Sequence, residues 1–369
     1  MKNKSVSQHN EPLVRMVKRS DISLKRGIAV RAVAIVLALI VDAIFILFVT
    51  GLNPIAVYKE MFLGTFGNAL RFTWCARDTT MLLCIGIALA PAFKMKFWNI
   101  GAEGQILMGA LATSCCMLYL GWLPIPVLFV TMLVTSIIAG GIWGFVPAYF
   151  KARHNTNETL FTLMMNYVAI QLVACCTNIW RGQASSLGKL NMSTQIGWFP
   201  AIFGQRYMIN IIVILAFMVL MFVYLKYTKH GYEISVVGES ANTARYAGIN
   251  VKKVTLRTML ISGAICGISG FLIVAGKDQT ISTTTAGGQG FTAIIVAWLS
   301  KFNTFFMLLI SFLLIFLERG AHQIASSFPI MNDYASDIVS GIILFFILGC
   351  EFFINYKLIF RKGGSDNNG

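Results

Sequence analysis

The stretch Phe97–Gln105, which reads FWNIGAEGQ, lies between two long apolar segments of the chain. It places an asparagine, a glutamate, a glutamine and two glycines where the flanking residues are suited to hydrocarbon. A membrane interior penalises unpaired polar groups, so such a cluster persists only where it faces protein, a water-filled path or the membrane surface. The stretch therefore predicts a polar turn within a membrane protein.

The composition of the whole chain supports the membrane class. Apolar residues make up 57% of the 369 residues and charged residues 12%, whereas soluble domains carry about 25% charged residues. A membrane-crossing helix needs about 20 apolar residues, and ten segments are candidates for such helices. They are 28–50, 79–93, 104–121, 124–148, 159–179, 208–227, 255–276, 289–300, 304–318 and 334–356. We expect an all-α polytopic membrane protein with about ten transmembrane helices.

Two candidates, 79–93 and 289–300, are too short for a straight crossing. We expect them to be broken or re-entrant helices buried among their neighbours. A single transmembrane domain is predicted over 28–358, preceded by a hydrophilic segment over 1–27 and followed by a tail over 359–369. The first apolar run is too long for the core of a cleaved signal peptide, so we interpret it as the first span.

The formal net charge of +15 reflects the orientation of the chain in the membrane. If both termini lie in the cytoplasm, the inner segments hold 22 Lys and Arg residues and the outer segments hold eight. This asymmetry follows the positive-inside rule and favours a topogenic role for the charge over nucleic-acid binding. The eight cysteines show no CxxC spacing and the four histidines no metal spacing. We therefore expect packing roles for the cysteines and no metal site.

The longest inner loop, 228–254, has a pattern typical of a short exposed helix. Ser240 is suited to cap a helix that begins at Ala241, and Gly248 is suited to end it. The spacing predicts that Ala241, Ala244 and Ala247 lie on one face, where small side chains let a partner surface approach. An ordinary solvated loop is the alternative interpretation.

These segments resemble permease subunits of bacterial ABC importers of the branched-chain amino acid, ribose and nucleoside class. The stretch Phe97–Gln105 is similar to the NIGAEGQ signature of the nucleoside-type members, and 228–254 resembles the loop that couples such permeases to their ATPase. Further resembling segments are Glu158–Tyr167, Ser262–Gly270 and Gly287–Ile294. Trp298-Leu299-Ser300 departs from the usual Leu-Leu-Gly. The resemblance runs from the first span to Arg361 and implies a fold like that of type II ABC importer permeases.

The resemblance also implies a function and its partners. The chain would be a transport subunit rather than an enzyme, in the cytoplasmic membrane of a bacterium. It contains no G-x-x-x-x-G-K-[ST] phosphate loop, so ATP would be used by a separate ATP-binding subunit and no cofactor is expected on this chain. The other implied partners are a second homologous permease, forming a heterodimer, and a lipid-anchored substrate receptor outside. The signature favours nucleosides over free pentoses.

Residue roles follow from the same resemblance. Coupling to the ATPase would involve the matching loop positions Gly238, Glu239, Ala241, Ala244, Arg245 and Gly248. A nucleoside is neutral and polar, so its path needs hydrogen-bonding side chains without a strong counter-charge. The candidate path residues are Asn99, Glu103, Gln105, Asn157, Asn166 and Gln289, with Trp98 and Tyr167 for stacking. The alternative is that these groups cap helix ends and bind neighbouring backbone.

Other functions remain open. Within the same class, the solute could be a simple sugar or another small polar molecule. An ion-coupled secondary carrier would need only this chain and would depend on Asp42, the one carboxylate near mid-membrane. A buried hydrogen bond from a neutral carboxyl is the simpler role for Asp42. An intramembrane enzyme or a scaffold is the third class, but the sequence shows no paired catalytic residues.

Overall fold

The computed structural model describes residues 14–18, 24–202, 204–331 and 333–360. Within them the chain forms α-helices almost throughout, with two short strands, β1 (Val14–Lys18) and β2 (Tyr356–Phe360). The helices are α1 (Leu24–Thr50), α2 (Pro54–Phe66), α3 (Ala69–Lys94), α4 (Ala102–Tyr119), α5 (Ile125–His154), α6 (Glu158–Arg181), α7 (Met208–Tyr227), α8 (Lys229–Glu239), α9 (Ala241–Tyr246), α10 (Val251–Leu272), α11 (Gln289–Leu299), α12 (Thr304–Ser327) and α13 (Asp333–Asn355). A π-helical turn over Ile273–Lys277 continues α10.

All ten predicted segments coincide with helices, and the expected all-α polytopic membrane protein is confirmed. In the described part of the chain, eight helices are long and apolar enough to cross a membrane, two fewer than the ten predicted, because α4 and α11 do not meet both conditions. Helix α11 has 11 residues and is short as predicted. The expected segments 1–27 and 359–369 fall largely outside the described residues.

The prediction that 79–93 is a broken or re-entrant helix is wrong, because α3 is one continuous helix of 26 residues that begins at Ala69. Its predicted burial among neighbouring helices is confirmed. Charged residues near its start ended the apolar run in the sequence. Within the folded helix, however, Arg77 Nε lies 2.7 Å from Asp78 Oδ1, and both side chains are largely shielded from solvent. Because the ion pair satisfies these charges locally, the helix continues through them.

The described part of the chain divides into two compact units, one within residues 14–64 and 317–360 and the other within residues 65–316. In the first unit β1 and β2 pair antiparallel, with Val14 opposite Phe360. Helix α1 packs against α13, and Ala34, Cys350 and Ile354 form a buried cluster. The strand pairing therefore brings the two ends of the described chain together.

Asp42 lies on α1 near the middle of that span and is fully buried. Its carboxyl oxygens are shielded from solvent, and the side chain of Tyr58 lies beside them. The hydroxyl of Tyr58 on α2 donates to the backbone oxygen of Leu39 at 2.6 Å. The first unit therefore encloses a carboxyl group at membrane depth.

The second unit is built around α3 and α10. The most apolar windows of these two helices are 89% and 83% buried, against 22–28% for α5, α6 and α7. Helix α10 approaches α4 and α5 at backbone distance, since a Cβ added at Gly109, Gly140 or Gly267 would overlap the facing main chain. Small residues permit such close contacts between membrane helices.

Candidate functional site

The polar stretch Phe97–Gln105 forms a tight turn from the end of α3 into α4. Lys96 adopts a left-handed backbone with φ of 61°, and the N–H of Phe97 donates to the backbone oxygen of Ala92 at 2.9 Å. Gly101 directly precedes the first residue of α4. The turn is therefore closed by backbone hydrogen bonds before its polar side chains are considered.

The buried side chain of Asn99 stabilises this turn by hydrogen bonds. It is fully buried, and its Oδ1 accepts from the N–H of Gly101 at 3.0 Å and from Nε2 of Gln105 at 3.2 Å. Its Nδ2 donates to Oγ of Ser262 on α10 at 3.3 Å. Asn99 and Gln105 therefore link the start of α4 to α10.

Asn166 on α6 clamps the same turn from the other side. Its Oδ1 accepts from the N–H of Gly104 at 2.9 Å, and its Nδ2 donates to the backbone oxygen of Ile100 at 2.9 Å. A Cβ at Gly104 would lie 2.9 Å from Nε1 of Trp143 and 3.0 Å from Oδ1 of Asn166. The glycine at this position is therefore required by close packing against α6 and α5.

Glu103 caps the N-terminus of α11 from a distant part of the chain. Its Oε1 accepts from the N–H of Gly290, the second residue of α11, at 2.7 Å. The N-terminus of a helix carries partial positive charge and stabilises a nearby anion. The Glu103 carboxylate is therefore used within the subunit to join the starts of α4 and α11.

The six candidate path residues thus have different surroundings. Asn99, Glu103, Gln105 and Asn166 are buried and bind backbone or one another. Asn157 is exposed but caps α6, because its Oδ1 accepts from the N–H groups of Thr159 and Leu160 at 3.0 and 3.2 Å. Gln289 is half-buried at the first position of α11. In this conformation the four buried groups are closed to a solute.

Sequence reasoning missed a polar line on α6. This helix buries one face against α4 and α5. Its opposite face is mixed: it exposes apolar residues, including Leu160, Met164 and Val168, and between them four residues with polar or polarisable side chains. The four are Tyr167, Gln171, Cys175 and Asn178. From the sequence, the tyrosine was a stacking candidate and the cysteine was expected to pack, whereas neither amide was considered. The spacing of these four residues, which is four, four and three positions, places them in one line along the helix, hereafter the α6 stripe. That spacing is visible in the sequence, but averaging hydropathy over the helix hides it.

A groove of about 410 Å³ adjoins the first half of α6. It is lined by Asn157, Leu160, Phe161, Met164, Met165 and Val168. All of its lining residues belong to α6 or to the residue that caps it, so the groove is an open surface along one helix. Leu160, Met164 and Val168 expose about half of their surface, so the groove opens on the side of α6 that carries the stripe.

An aromatic cluster covers one edge of the Phe97–Gln105 turn. The indole rings of Trp98 and Trp298 stack with centroids 5.6 Å apart, and each is 45% exposed. Phe93 contacts both rings edge-on, and Phe302 contacts Trp298. The tryptophan at 298, where the resembling permeases have leucine, therefore completes a packed aromatic surface.

The loop over 228–254 folds into α8 and α9, as the capping residues predicted. Oγ of Ser240 accepts from the N–H of Thr243 at 3.3 Å. The N–H of Ile249 donates to the backbone oxygen of Ala244 at 2.9 Å across Gly248, whose φ is 75°. The predicted short helix between Ser240 and Gly248 is therefore confirmed.

The exposed face of α9 differs from the expected alanine face. Ala241 and Ala247 are exposed, but Ala244 is buried because α9 packs on α8 and α10. Gly238 is buried too, and a Cβ there would overlap the backbone oxygen of Lys94 at the end of α3. Of the six candidate coupling residues, those that are exposed are Glu239, Ala241, Arg245 and Gly248. Tyr246 is 93% exposed beside them.

Helix α8 is fastened to the membrane-spanning helices at two points. Nη2 of Arg257 on α10 lies 2.9 Å from Oε2 of Glu233 on α8. The close approach of Gly238 to the end of α3 is the second point. A displacement of α9 would therefore be transmitted through α8 to α3 and α10, the two most buried long helices of the second unit.

Charged residues connect the N-terminal half of α3 to the C-terminal end of α10. Nζ of Lys277 lies 3.8 Å from Oδ1 of Asp78, and the guanidinium of Arg77 lies 4.6 Å from the ring centre of Tyr207. Burial raises the pKa of the Asp278 carboxyl above its usual value, and Lys277 and Arg77 oppose that shift. These contacts fix the position at which α10 ends in its π-helical turn.

Known proteins match this chain over most of its length. Residues 73–348 match the family described as branched-chain amino acid transport system / permease component. The chain is 31% identical to the guanosine ABC transporter permease protein NupP of Bacillus subtilis, over 90% of this chain and 94% of NupP. It is 26% identical to the nucleoside ABC transporter permease protein NupB of Lactococcus lactis, over 87% and 91% of the two chains.

A third relative has a different solute in its name. The glucose ABC transporter permease protein TsgB13 of Haloferax volcanii is 26% identical, over 85% of this chain and 86% of TsgB13. Both B. subtilis and L. lactis also have a second matching permease protein, named for guanosine and for nucleosides respectively, each 24% identical to this chain.

Proposed function

This chain belongs to the family of permease components of branched-chain amino acid transport systems, and from that premise we propose that it is the permease subunit of an ATP-driven importer for nucleosides. It is a multi-pass membrane transport subunit. The proposal adds the source of energy, the solute and the partners.

The exposed helix α9 is the observation that carries the proposal. The chain lacks a phosphate loop, so the energy for transport would come from another subunit through a protein contact. Tyr246 projects from α9 with 93% of its surface exposed, while Gly238 and the Glu233–Arg257 pair fasten the adjoining α8 to α3 and α10. A large exposed aromatic residue on a firmly attached helix suits a docking contact that transmits force.

The proposed solute rests on the relatives and on the chemistry of the exposed face. NupP and NupB carry guanosine and nucleosides in their names. The α6 stripe offers neutral amides and a phenol, which suit a neutral solute with several hydroxyl groups. A simple sugar is the second candidate, because TsgB13 is named for glucose.

The proposed assembly contains an ATP-binding subunit, a second homologous permease and a lipid-anchored receptor outside. The second permease is supported by the pairs of related permease proteins in B. subtilis and L. lactis. The excess of Lys and Arg in alternate loops supports a cytoplasmic location for both termini and for α9. The membrane would be the cytoplasmic membrane of a bacterium.

Affinity purification of the tagged chain from its native membrane tests the coupling proposal. We expect an ATP-binding subunit to be recovered with the wild type and with Tyr246→Phe, but at most about one tenth as much with Tyr246→Ala, since a buried aromatic anchor contributes about 2 kcal/mol or more. Trp122→Ala is the control, because Trp122 is 77% exposed in the predicted outer turn between α4 and α5. Recovery of the chain alone from wild-type membranes would contradict the proposal.

Uptake of labelled guanosine into cells identifies the solute. We expect uptake to require this chain and the ATP-binding subunit, and to be inhibited by other nucleosides but not by glucose. Uptake that glucose competes for would favour the sugar alternative. Uptake supported by this chain alone would favour an ion-coupled carrier.

A further inference from the structure

The α6 stripe places polar groups at the depth of the membrane centre. Helix α6 has 24 residues, so it is about 36 Å long, and Gln171 lies about 20 Å from its first residue. Tyr167 and Asn178 are separated by about 16 Å along the axis. The side chains of Tyr167, Gln171 and Asn178 are exposed and make no hydrogen bond within the described part of the chain.

Neighbouring spans show what a lipid-facing surface of this protein looks like. The exposed line along the membrane-spanning part of α5 consists of Val127, Val130, Val134, Ile138 and Ile142. On α7 the exposed residues at the same depth are also apolar, among them Ile212, Val219 and Leu220. Hydrocarbon offers no partner for an amide. The exposed amides of Gln171 and Asn178, which lie among apolar residues of α6, are therefore unsuited to lipid, and the exposed residues of α5 and α7 named above include no such group.

Close packing by another helix is also a poor fit for this face. Where helices of this unit meet at backbone distance, the contact consists of glycines such as Gly140 and Gly267. The α6 stripe instead carries long side chains, and the residues beside it, including Met164 and Leu172, are long as well. A neighbouring helix could therefore not approach this face at backbone distance, and a wider separation would leave the amides of Gln171 and Asn178 accessible to water or a solute.

We propose that the α6 stripe is the wall of the water-filled translocation path in this subunit, where Gln171 and Asn178 donate and accept hydrogen bonds with the passing solute. The proposal rests on the proposed function as an importer. It keeps Tyr167 and adds Gln171 and Asn178, which the sequence did not single out, in place of the buried Asn99, Gln105 and Asn166.

The chemistry along α6 also indicates the class of solute. The second half of the helix presents the amides of Gln171 and Asn178, which suit hydroxyl groups. The first half opens on the groove lined by Phe161, Met164 and Met165, which suits a flat, weakly polar ring. A neutral molecule that joins a hydroxyl-bearing part to a flat heterocycle matches both halves.

Thiol labelling in the assembled complex tests the path directly. In native membrane vesicles, a charged methanethiosulfonate reagent is applied to the wild type and to Cys175→Ser. The difference between their labelling rates is the labelling rate of Cys175. Gln171→Cys and the lipid-facing control Ile138→Cys are then compared in the Cys175→Ser background. Thiols react as thiolates in water, so we expect Gln171→Cys to be labelled at least about 10-fold faster than Ile138→Cys.

Two results would overturn the path assignment. One is equal labelling of Gln171→Cys and Ile138→Cys. The other is labelling of Gln171→Cys only when the second permease is absent, which would show that a protein surface covers the stripe. Failure to recover an ATP-binding subunit with the wild type would instead overturn the proposed function, whatever the labelling shows.

Solute protection and uptake complete the test. We expect saturating guanosine to slow labelling of Cys175 several-fold. We expect Gln171→Leu to lower guanosine uptake several-fold at an unchanged amount of assembled complex, and Gln171→Asn, which keeps an amide, to retain more uptake. Normal uptake by Gln171→Leu together with unprotected Cys175 would show that the stripe lies away from the path.

Discussion

Replacing Asn166 by leucine separates a structural role from a role in transport. Asn166 satisfies the N–H of Gly104 and the backbone oxygen of Ile100, both at 2.9 Å, and only 4% of its surface is exposed. Leucine is similar in size but leaves both backbone groups unpaired. Each unpaired buried group costs about 1–3 kcal/mol, so the expected loss of folding stability is about 2–6 kcal/mol.

The loss is measured as the apparent melting temperature of the purified complex in mild detergent, followed by loss of the monodisperse peak. For a unit of about 250 residues, 1 kcal/mol corresponds to about 2–4 °C, so we expect a decrease of about 5 °C or more. Gln171→Leu is the matched control, because it lies on the opposite face of α6 and should leave the melting temperature unchanged. An Asn166→Leu variant as stable as the wild type but unable to transport guanosine would refute the structural role.

Other perturbations test the remaining contacts. Glu103→Ala removes the charged cap of α11 and should destabilise the complex by about 1.5–3 kcal/mol in the same melting assay, whereas Glu103→Gln keeps an acceptor and should lose less. Asp42→Asn should retain assembly and guanosine uptake, since a carboxyl at that depth is favoured in its neutral form; loss of uptake by an assembled variant would support ion coupling. Gly267→Ala should destabilise by about 1–3 kcal/mol because its methyl group meets backbone, whereas Gly341→Ala, with no atom within 4 Å of the added carbon, should be neutral or stabilising.

Hydropathy predicted the helices well because each span must place apolar side chains against lipid or protein along its length. It failed at the start of α3, where Arg77 and Asp78 lowered the local hydropathy although they pair with each other. It also gave no sign of α2, a helix of 13 residues that carries Lys59 and Glu60. The cap at Ser240 and the glycine at 248 predicted α9 correctly, because both act within a few residues of the chain.

The candidate site was harder to predict for a physical reason. A polar residue in a membrane helix can serve backbone or solute, and the choice depends on which way it faces in the folded unit. Asn166 and Gln171 are five residues apart on one helix, yet one is buried against a turn and the other is exposed. The turn that Asn166 clamps lies more than 60 residues earlier in the sequence, so its need for hydrogen bonds is invisible from α6 alone.

The pairing of the chain ends has a consequence for biosynthesis. Strand β1 and helix α1 are synthesised before the second unit, but their partners β2 and α13 are synthesised after it. The first unit therefore stays open while every other helix is inserted. A chain interrupted before α13 would leave the face of α1 that packs on α13 without its partner, so this unit can close only after α13 and β2 have been made.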